Sequence, residues 1–261
     1  MMFAGKVIAV TGAAGGIGQA LCRFFGNEGA SIVALDRSPG VEALIGELQA
    51  DGITAAAAIV DIGDATAVAA AFAALTATLG DVDVLVNNAG FSDHLTFEGT
   101  SPDGWRDDVN GNLNGAFNCV HAVLPGMRAK RGGSIVNIGS VNGLSALGDP
   151  AYSAAKAGMI SMTRSLALEY GRYGIRANIV LPGTVRTPLW EARAAKDPTV
   201  LSRLVRWYPL GRIVEPVDVA RVVGFLASDA AAAITGAALP VDCGLSAGNL
   251  VMARELTLQE L

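Results

Sequence analysis

The chain has 261 residues, 51% of them hydrophobic and only 16% charged, with a formal net charge of −5. That composition suits a globular protein with a large buried sheet and excludes disorder, while the acidic balance, with no run of Lys or Arg, excludes a nucleic-acid surface. Three scattered cysteines, Cys22, Cys119 and Cys243, match neither a disulfide framework nor metal spacing, and two isolated histidines, His94 and His121, form no metal set.

The length admits one large or two small domains, and with no linker in sight a single domain over 1–261 is expected. The start lacks a basic leader with a long apolar core, and no stretch of about 20 apolar residues suggests a membrane span, so a cytoplasmic protein in a reducing compartment is expected.

Residues 6–11 read as a β-branched strand that runs into TGAAGGIG and then a helix beginning near Ile17. A strand, a glycine-rich turn and a helix put Gly12, Gly16 and Gly18 where a phosphate can approach bare backbone at a helix N-terminus. A second strand, 30–35, ends in Asp36, eighteen residues after Gly18. That offset matches the acid that binds a ribose 2′-hydroxyl in dinucleotide folds. A carboxylate there repels a 2′-phosphate, which favours NAD over NADP; Arg37 beside it is the feature that could accept the phosphate. Taken singly, the glycines make an ordinary tight turn and Asp36 a strand-end cap.

Residues 41–50 read as a helix and 54–60 as a third strand ending at Asp61. Asp61 could bond the adenine amino group, with Ile62 beside the ring, or it could cap the Ala-rich helix over 65–79. A fourth strand, 83–86, closes with Asn87, Asn88, Ala89 and Gly90, and a fifth, 133–139, delivers Ser140 to the carboxyl edge of the sheet, where doubly wound folds bind ligands. His94 reads as a solvated loop residue that could approach substrate, and Lys130 and Arg131 as a solvated turn.

Asp149 followed by Pro150 reads as an N-cap and first-turn residue, so Tyr152 and Lys156 share one helix face at roughly 5–6 Å. A free phenol has a pKa of about 10, and half-ionising it near pH 7 needs roughly 4 kcal/mol of preference for phenolate. One positive charge roughly 6 Å away at an effective dielectric of about 20 supplies about 3 kcal/mol, and an oxidised nicotinamide could supply the rest. Tyr152 is then an acid/base poised near neutrality, with Ser140 beside it to bind the substrate oxygen. By itself, a tyrosine and a lysine at helical spacing are most often an ordinary helix face. Later elements are a strand over 176–181, a helix over 216–228 and a last strand over 238–241.

TGAAGGIG, NNAG, Ser140 and YSAAK, in this order and spacing, resemble the motifs of the short-chain dehydrogenase/reductase family, and the likeness runs to about Gly244. The resemblance implies an α/β Rossmann-type fold, a doubly wound parallel sheet of about seven strands flanked by helices on both faces. It implies an NAD-dependent oxidoreductase that moves hydride between NAD(H) and a secondary alcohol or ketone, with Asn112, Ser140, Tyr152 and Lys156 as catalytic residues. Trp105, seven residues before Asn112, sets that register, in which Asn112 holds a proton-relay water; a slipped register would make Asn110 the rival. Ile17, Asn88, Ala89, Gly90, Tyr152 and Lys156 would contact the cofactor. Pro182, Gly183, Val185 and Thr187 match the stretch that holds the nicotinamide carboxamide. Residues 186–210 would form a mobile cover, with Trp190, Trp207 and Tyr208 as pocket lining or packing anchors. The resemblance also implies a homotetramer in which the helices near Asn112 and Tyr152 pair across one interface. Val141, Leu144, Leu147, Leu189 and Trp190, with Ser140 and Tyr152, suggest a small or medium apolar cyclic or aryl-alkyl substrate. Cys243 departs from the family's Asp-Gly-Gly at a turn, and the tail from Leu245 could cross a subunit boundary. Alternatives are an epimerase, isomerase or dehydratase of the same family with bound NAD, or a catalytically silent dinucleotide sensor.

Overall fold

The computed structural model describes residues 1–259. Its centre is a seven-stranded, wholly parallel sheet: β1 (Val7–Thr11), β2 (Ser31–Asp36), β3 (Ala55–Ile59), β4 (Val84–Asn87), β5 (Gly133–Ile138), β6 (Ile175–Pro182) and β7 (Ala238–Val241). The spatial order is β3-β2-β1-β4-β5-β6-β7, so the winding direction reverses between β1 and β4. Parallel neighbours need long crossovers, and helices supply them on both faces.

Side chains alternate across the strands. Ile8 and Val10 of β1 join one core with α1 (Gly16–Asn27), α2 (Gly40–Ala50) and, from later in the chain, Pro216–Ala227. Val7 and Ala9 join the opposite core with α3 (Ala65–Leu79) and the helices that follow β4 and β5. Each face is sealed, and strands buried on both sides read as continuous apolar runs. At about 25 cal/mol per Å² of apolar surface, this double burial is the main force holding the sheet.

After β4 come α4 (Pro102–Val109), a five-residue π turn (Asn110–Asn114) and α5 (Gly115–Lys130). The long helix expected around Asn112 is therefore interrupted. The Asn112 side-chain amide donates to the Asp108 carbonyl at 2.8 Å, and the Gly115 N–H reaches back to the Asn110 carbonyl, which widens the turn. α6 (Pro150–Tyr170) follows β5; α7 (Pro188–Lys196) and α8 (Val200–Val205) follow β6; α9 (Pro216–Ala227) precedes β7, and α10 (Leu250–Thr257) lies in the tail.

Three local expectations change. Asp149 does not cap α6: it sits at φ 50° and its carboxylate instead accepts from the Ser92 hydroxyl at 2.6 Å. Asp61 does not cap α3, because Asp64 does, accepting from the amides of Thr66 and Ala67. Lys130 is not a loosely solvated turn residue, since its ammonium donates to the Asp81 carbonyl and to the Asp83 carboxylate, pinning α5 to the start of β4. Cys243, where the resemblance expects glycine, adopts a left-handed backbone at φ 53°. Among the described residues no helix is long and apolar enough to cross a membrane.

Candidate active site

Where the strand order reverses, the carboxyl ends of β1 and β4 diverge and leave a cavity of about 760 Å³. Gly12, Gly16, Ile17, Asp36, Arg37, Asp61, Ile62, Asn88, Ala89, Gly90, Thr187 and Leu189 all line it. The helix α1 begins there with Gly15 as N-cap, no side-chain cap bond and no acid in its first turn, so its first amides are free to meet an anion. Gly12, at φ 63°, passes so close to β4 that a Cβ would lie 2.7 Å from Ala89 Cα. Gly18 is off the cavity wall: a Cβ on it would meet the Gly12 carbonyl oxygen at 2.1 Å, so its bareness lets α1 pack onto the turn.

Asn88 ties the junction together, its amide donating to the carbonyls of Thr11 and Gly12 at 2.9 and 3.0 Å. Asn87 does the same inside the sheet, donating to Asn137 Oδ1 at 2.9 Å. At the end of β2, Asp36 accepts from the Ala14 and Ser38 amides at 2.9 and 2.8 Å. Arg37 lies 4.7 Å from the Phe91 ring centroid.

On the β6 side, Gly183 packs against Asp242, Pro182 ends the strand, and Val185 makes a parallel bridge to Val214. The bridge bonds run from Val214 N to Thr184 O and from Arg186 N to Val214 O, which turns the Val185 amide to the opposite side. Thr187 stands at the N-cap of α7 with its hydroxyl uncommitted to capping. Free first-turn amides, a carboxylate at the β2 edge and a bare Gly90 fit a dinucleotide lying across this junction.

Beyond Gly90 lie the candidate reacting groups. A Cβ at Gly90 would stand 2.6 Å from Asn112 Oδ1 and 3.2 Å from Lys156 Nζ, so only glycine leaves that space open. Asn112 is fully buried; its amide donates to Phe91 O at 2.7 Å, while its Oδ1 has no hydrogen-bond partner. An orphaned buried acceptor beside an ammonium is a ready seat for water. Asn110, the rival position, is exposed and lines the cavity. Ser140, nearly buried at the end of β5, accepts from the Asn142 amide at 3.1 Å and hydrogen-bonds Tyr152.

Lys156 is buried, donates to the Ile138 carbonyl at 2.9 Å and stands 5.4 Å from the Tyr152 ring centroid. Burial pushes its pKa down to about 8. Tyr152 is half-buried, and its pKa moves up rather than down: burial is the main cause, Asp149 adds to it, and the hydrogen bond with Ser140 opposes it. The sequence expectation is that the ammonium supplies most of the preference for phenolate, with an oxidised nicotinamide supplying the rest; in the chain by itself burial outweighs it. The ammonium is committed to a backbone carbonyl, the Ile138 oxygen.

A family model described as enoyl-(acyl carrier protein) reductase matches residues 12–246. An oxidoreductase structure of the short-chain dehydrogenase/reductase family from Burkholderia thailandensis is 51% identical, with a TM-score of 0.90 and 98% of each chain covered. The chain belongs to the short-chain dehydrogenase/reductase family. It is an oxidoreductase of that family, whose members bind a nicotinamide dinucleotide. An uncharacterized oxidoreductase of Schizosaccharomyces pombe is 44% identical over 98% of this chain and 96% of its own. A gluconate 5-dehydrogenase from Burkholderia cenocepacia in complex with NADP and tartrate has a TM-score of 0.88 at 33% identity, covering 94% of this chain and 96% of its own. An NAD+-bound xylitol dehydrogenase has 0.88 at 29% identity, covering 94% and 100%.

The substrate end of this short-chain dehydrogenase/reductase chain is more polar than expected. Leu189 lines the cavity but is exposed, Leu144 and Leu147 are exposed nearby in sequence to Ser140, and Val141 is buried beneath. Trp190 pairs with Arg193 at 4.7 Å and Trp207 with Arg206 at 4.8 Å. Tyr208 is a packing anchor, buried with its hydroxyl accepting from the Thr184 amide at 3.0 Å. Phe91, Asp93, His94 and Asp107 share the cavity wall; of the four, His94 alone reads from sequence as able to approach substrate. Asp108 is fully buried with Oδ2 3.3 Å from His94 Nδ1. A charged residue four positions before a buried asparagine was the available sign, since that spacing puts both on one helix face.

Proposed function

We propose that the protein is an NAD-dependent oxidoreductase that interconverts a secondary alcohol and its ketone. The observation that carries this reading is the convergence on one edge of Ser140, Tyr152, Lys156 and the orphaned Oδ1 of Asn112, next to a groove with free helix amides. Bound in that groove, an oxidised dinucleotide would supply the hydride acceptor and a second positive charge.

Ser140 holds the substrate oxygen, and Tyr152 takes the hydroxyl proton in oxidation or returns it in reduction. The raised pKa of Tyr152 suits it as proton donor, and the Lys156 ammonium, still mostly protonated at pH 7, favours phenolate electrostatically. Asn112 Oδ1 and Lys156 Nζ, both close to Gly90, bracket a water through which the proton leaves.

Asp36 supports NAD over NADP, since its carboxylate occupies the β2 edge where a 2′-phosphate would sit. Pro182, Gly183, Val185 and Thr187 orient the nicotinamide end, and residues 186–210 cover the substrate, which has an apolar body. The assembly is a homotetramer; exposed Phe117 on α5 and Leu168 on α6 are apolar surface of the kind an interface covers.

The test is reduction of NAD+ and of NADP+ across secondary alcohols of graded size, followed at the reduced nicotinamide absorbance, with Tyr152→Phe as control. Turnover with NAD+ that falls at least about a thousandfold in the variant, while NADH still binds, supports the reading. Wild-type-like turnover in Tyr152→Phe, or conversion of substrate without net change in NADH, overturns it. Sedimentation velocity tests the tetramer.

A further inference from the structure

Only two residues of α4, Gly104 and Asp108, are buried, and at four residues apart they share one face. Together they form a seat for one imidazole. A Cβ at Gly104 would stand 2.4 Å from His94 Nε2 and 2.5 Å from its Cε1, so glycine makes the room. Asp108, 0% exposed, sets Oδ2 3.3 Å from His94 Nδ1, and its Oδ1 has no other partner. A carboxylate that buried acts on the one titratable ring it touches, and fixes Nδ1 as the nitrogen that carries a proton. Nε2 makes no hydrogen bond within the described residues, and the ring faces the cavity.

The loop that carries His94 is clasped to the turn before Tyr152 from both sides. Ser92 donates to the Asp149 carboxylate at 2.6 Å, and the Asp149 amide donates to Leu95 O at 3.1 Å. This fastening holds the imidazole on the loop tied to the turn before Tyr152, in a cavity that Phe91, Asp93 and Leu189 also line.

We propose that His94 is a specificity-determining residue whose Nε2 meets a second hydroxyl on the substrate, with Gly104 and Asp108 as its positioning residues. A hydroxyl satisfies the ring in either state, donating to a neutral Nε2 or accepting from a protonated one, whereas an alkyl group leaves Nε2 unpaired. The inference rests on the alcohol oxidation argued above and adds the substrate class: diols rather than simple alcohols.

The experiment compares cyclohexanol with the 1,2-, 1,3- and 1,4-cyclohexanediols, reading kcat/KM with NAD+ and, separately, Kd in a Tyr152→Phe background with NAD+ present. Removing His94 alone would leave a buried unpaired carboxylate, so the probe is the paired variant His94→Leu with Asp108→Leu, alongside His94→Gln, which keeps a polar nitrogen. At least one diol is expected to exceed cyclohexanol by about tenfold in the wild type, as for one hydrogen bond to a half-exposed group. That ratio falls to about one in the paired variant and is partly kept in His94→Gln. A ratio of one in the wild type, a ratio that survives the paired variant, or an equal loss on all four alcohols overturns the proposal. Because binding is read without turnover, absent alcohol oxidation with an intact His94-dependent binding ratio would defeat the redox reading and leave this one standing.

Discussion

Lys156 Nζ stands 5.4 Å from the centroid of the Tyr152 ring and gives a hydrogen bond to the Ile138 carbonyl at 2.9 Å. The ammonium is therefore held in place by the sheet, and its charge is costly. Burial lowers its pKa from 10.5 to about 8, a penalty on the charged form of about 3 kcal/mol. The unfolded chain binds this proton more tightly than the folded one, so the penalty is fully present below pH 8 and disappears as pH rises to about 10.5. Urea unfolding of the wild type and of Lys156→Met at pH 7 and at pH 9.5 checks this. The variant is expected to be more stable at pH 7 by about 2 kcal/mol, once about 1 kcal/mol is deducted for the unpaired Ile138 carbonyl, and the gap should shrink at pH 9.5. A gap that is constant or widens with pH contradicts it.

Asp36 binds the Ala14 and Ser38 amides at 2.9 and 2.8 Å, so its carboxylate braces the turn, and under the proposed reading it also tells NAD from NADP. Asp36→Ser removes the repulsion against a 2′-phosphate and keeps a short acceptor for the turn. Arg37, now stacked on Phe91, is the cation nearby in the chain that can meet such a phosphate. The expected outcome is a shift of roughly a hundredfold in the ratio of NADPH to NADH affinity, the size of one charged hydrogen bond lost and one gained. Fluorescence titration of both reduced cofactors measures it. An unchanged ratio means the β2 edge is not where the two are told apart.

The sheet was legible because its signals are local: β-branched runs ending in Gly12, Asp36 or Asn87 mark strand ends that the neighbours on either side cannot reverse. The misread residues share a different property, a partner far along the chain. Asp149 reads as a helix cap until Ser92, 57 residues earlier, takes its carboxylate. Lys130 reads as a solvated turn until Asp83, 47 residues earlier, meets its ammonium. His94 reads as a loop residue because nothing nearby reveals that α4 offers Gly104 as space and Asp108 as charge. The proposed reacting positions Ser140, Tyr152 and Lys156 could be named from motif and helix geometry, yet the direction of the Tyr152 shift could not. It depends on how much water the fold removes, which spacing does not encode.

Two glycines in helices give opposite forecasts from the same substitution. At Gly18, an added Cβ would fall 2.1 Å from the Gly12 carbonyl oxygen and 2.7 Å from Ala13 Cα, both backbone atoms of the glycine-rich turn. Neither can yield without moving β1 from α1, so Gly18→Ala should cost more than about 3 kcal/mol or prevent folding. At Gly46, exposed within α2, a Cβ meets nothing within 4 Å. Alanine there restricts the unfolded chain and favours the helix, so Gly46→Ala should stabilise by about 1 kcal/mol. Thermal unfolding of the two variants beside the wild type decides the matter: a rise for Gly46→Ala together with a fall or loss of folded protein for Gly18→Ala. If Gly18→Ala melts within a degree of the wild type and binds NADH equally well, the close packing of α1 on the glycine turn is not what shapes the groove.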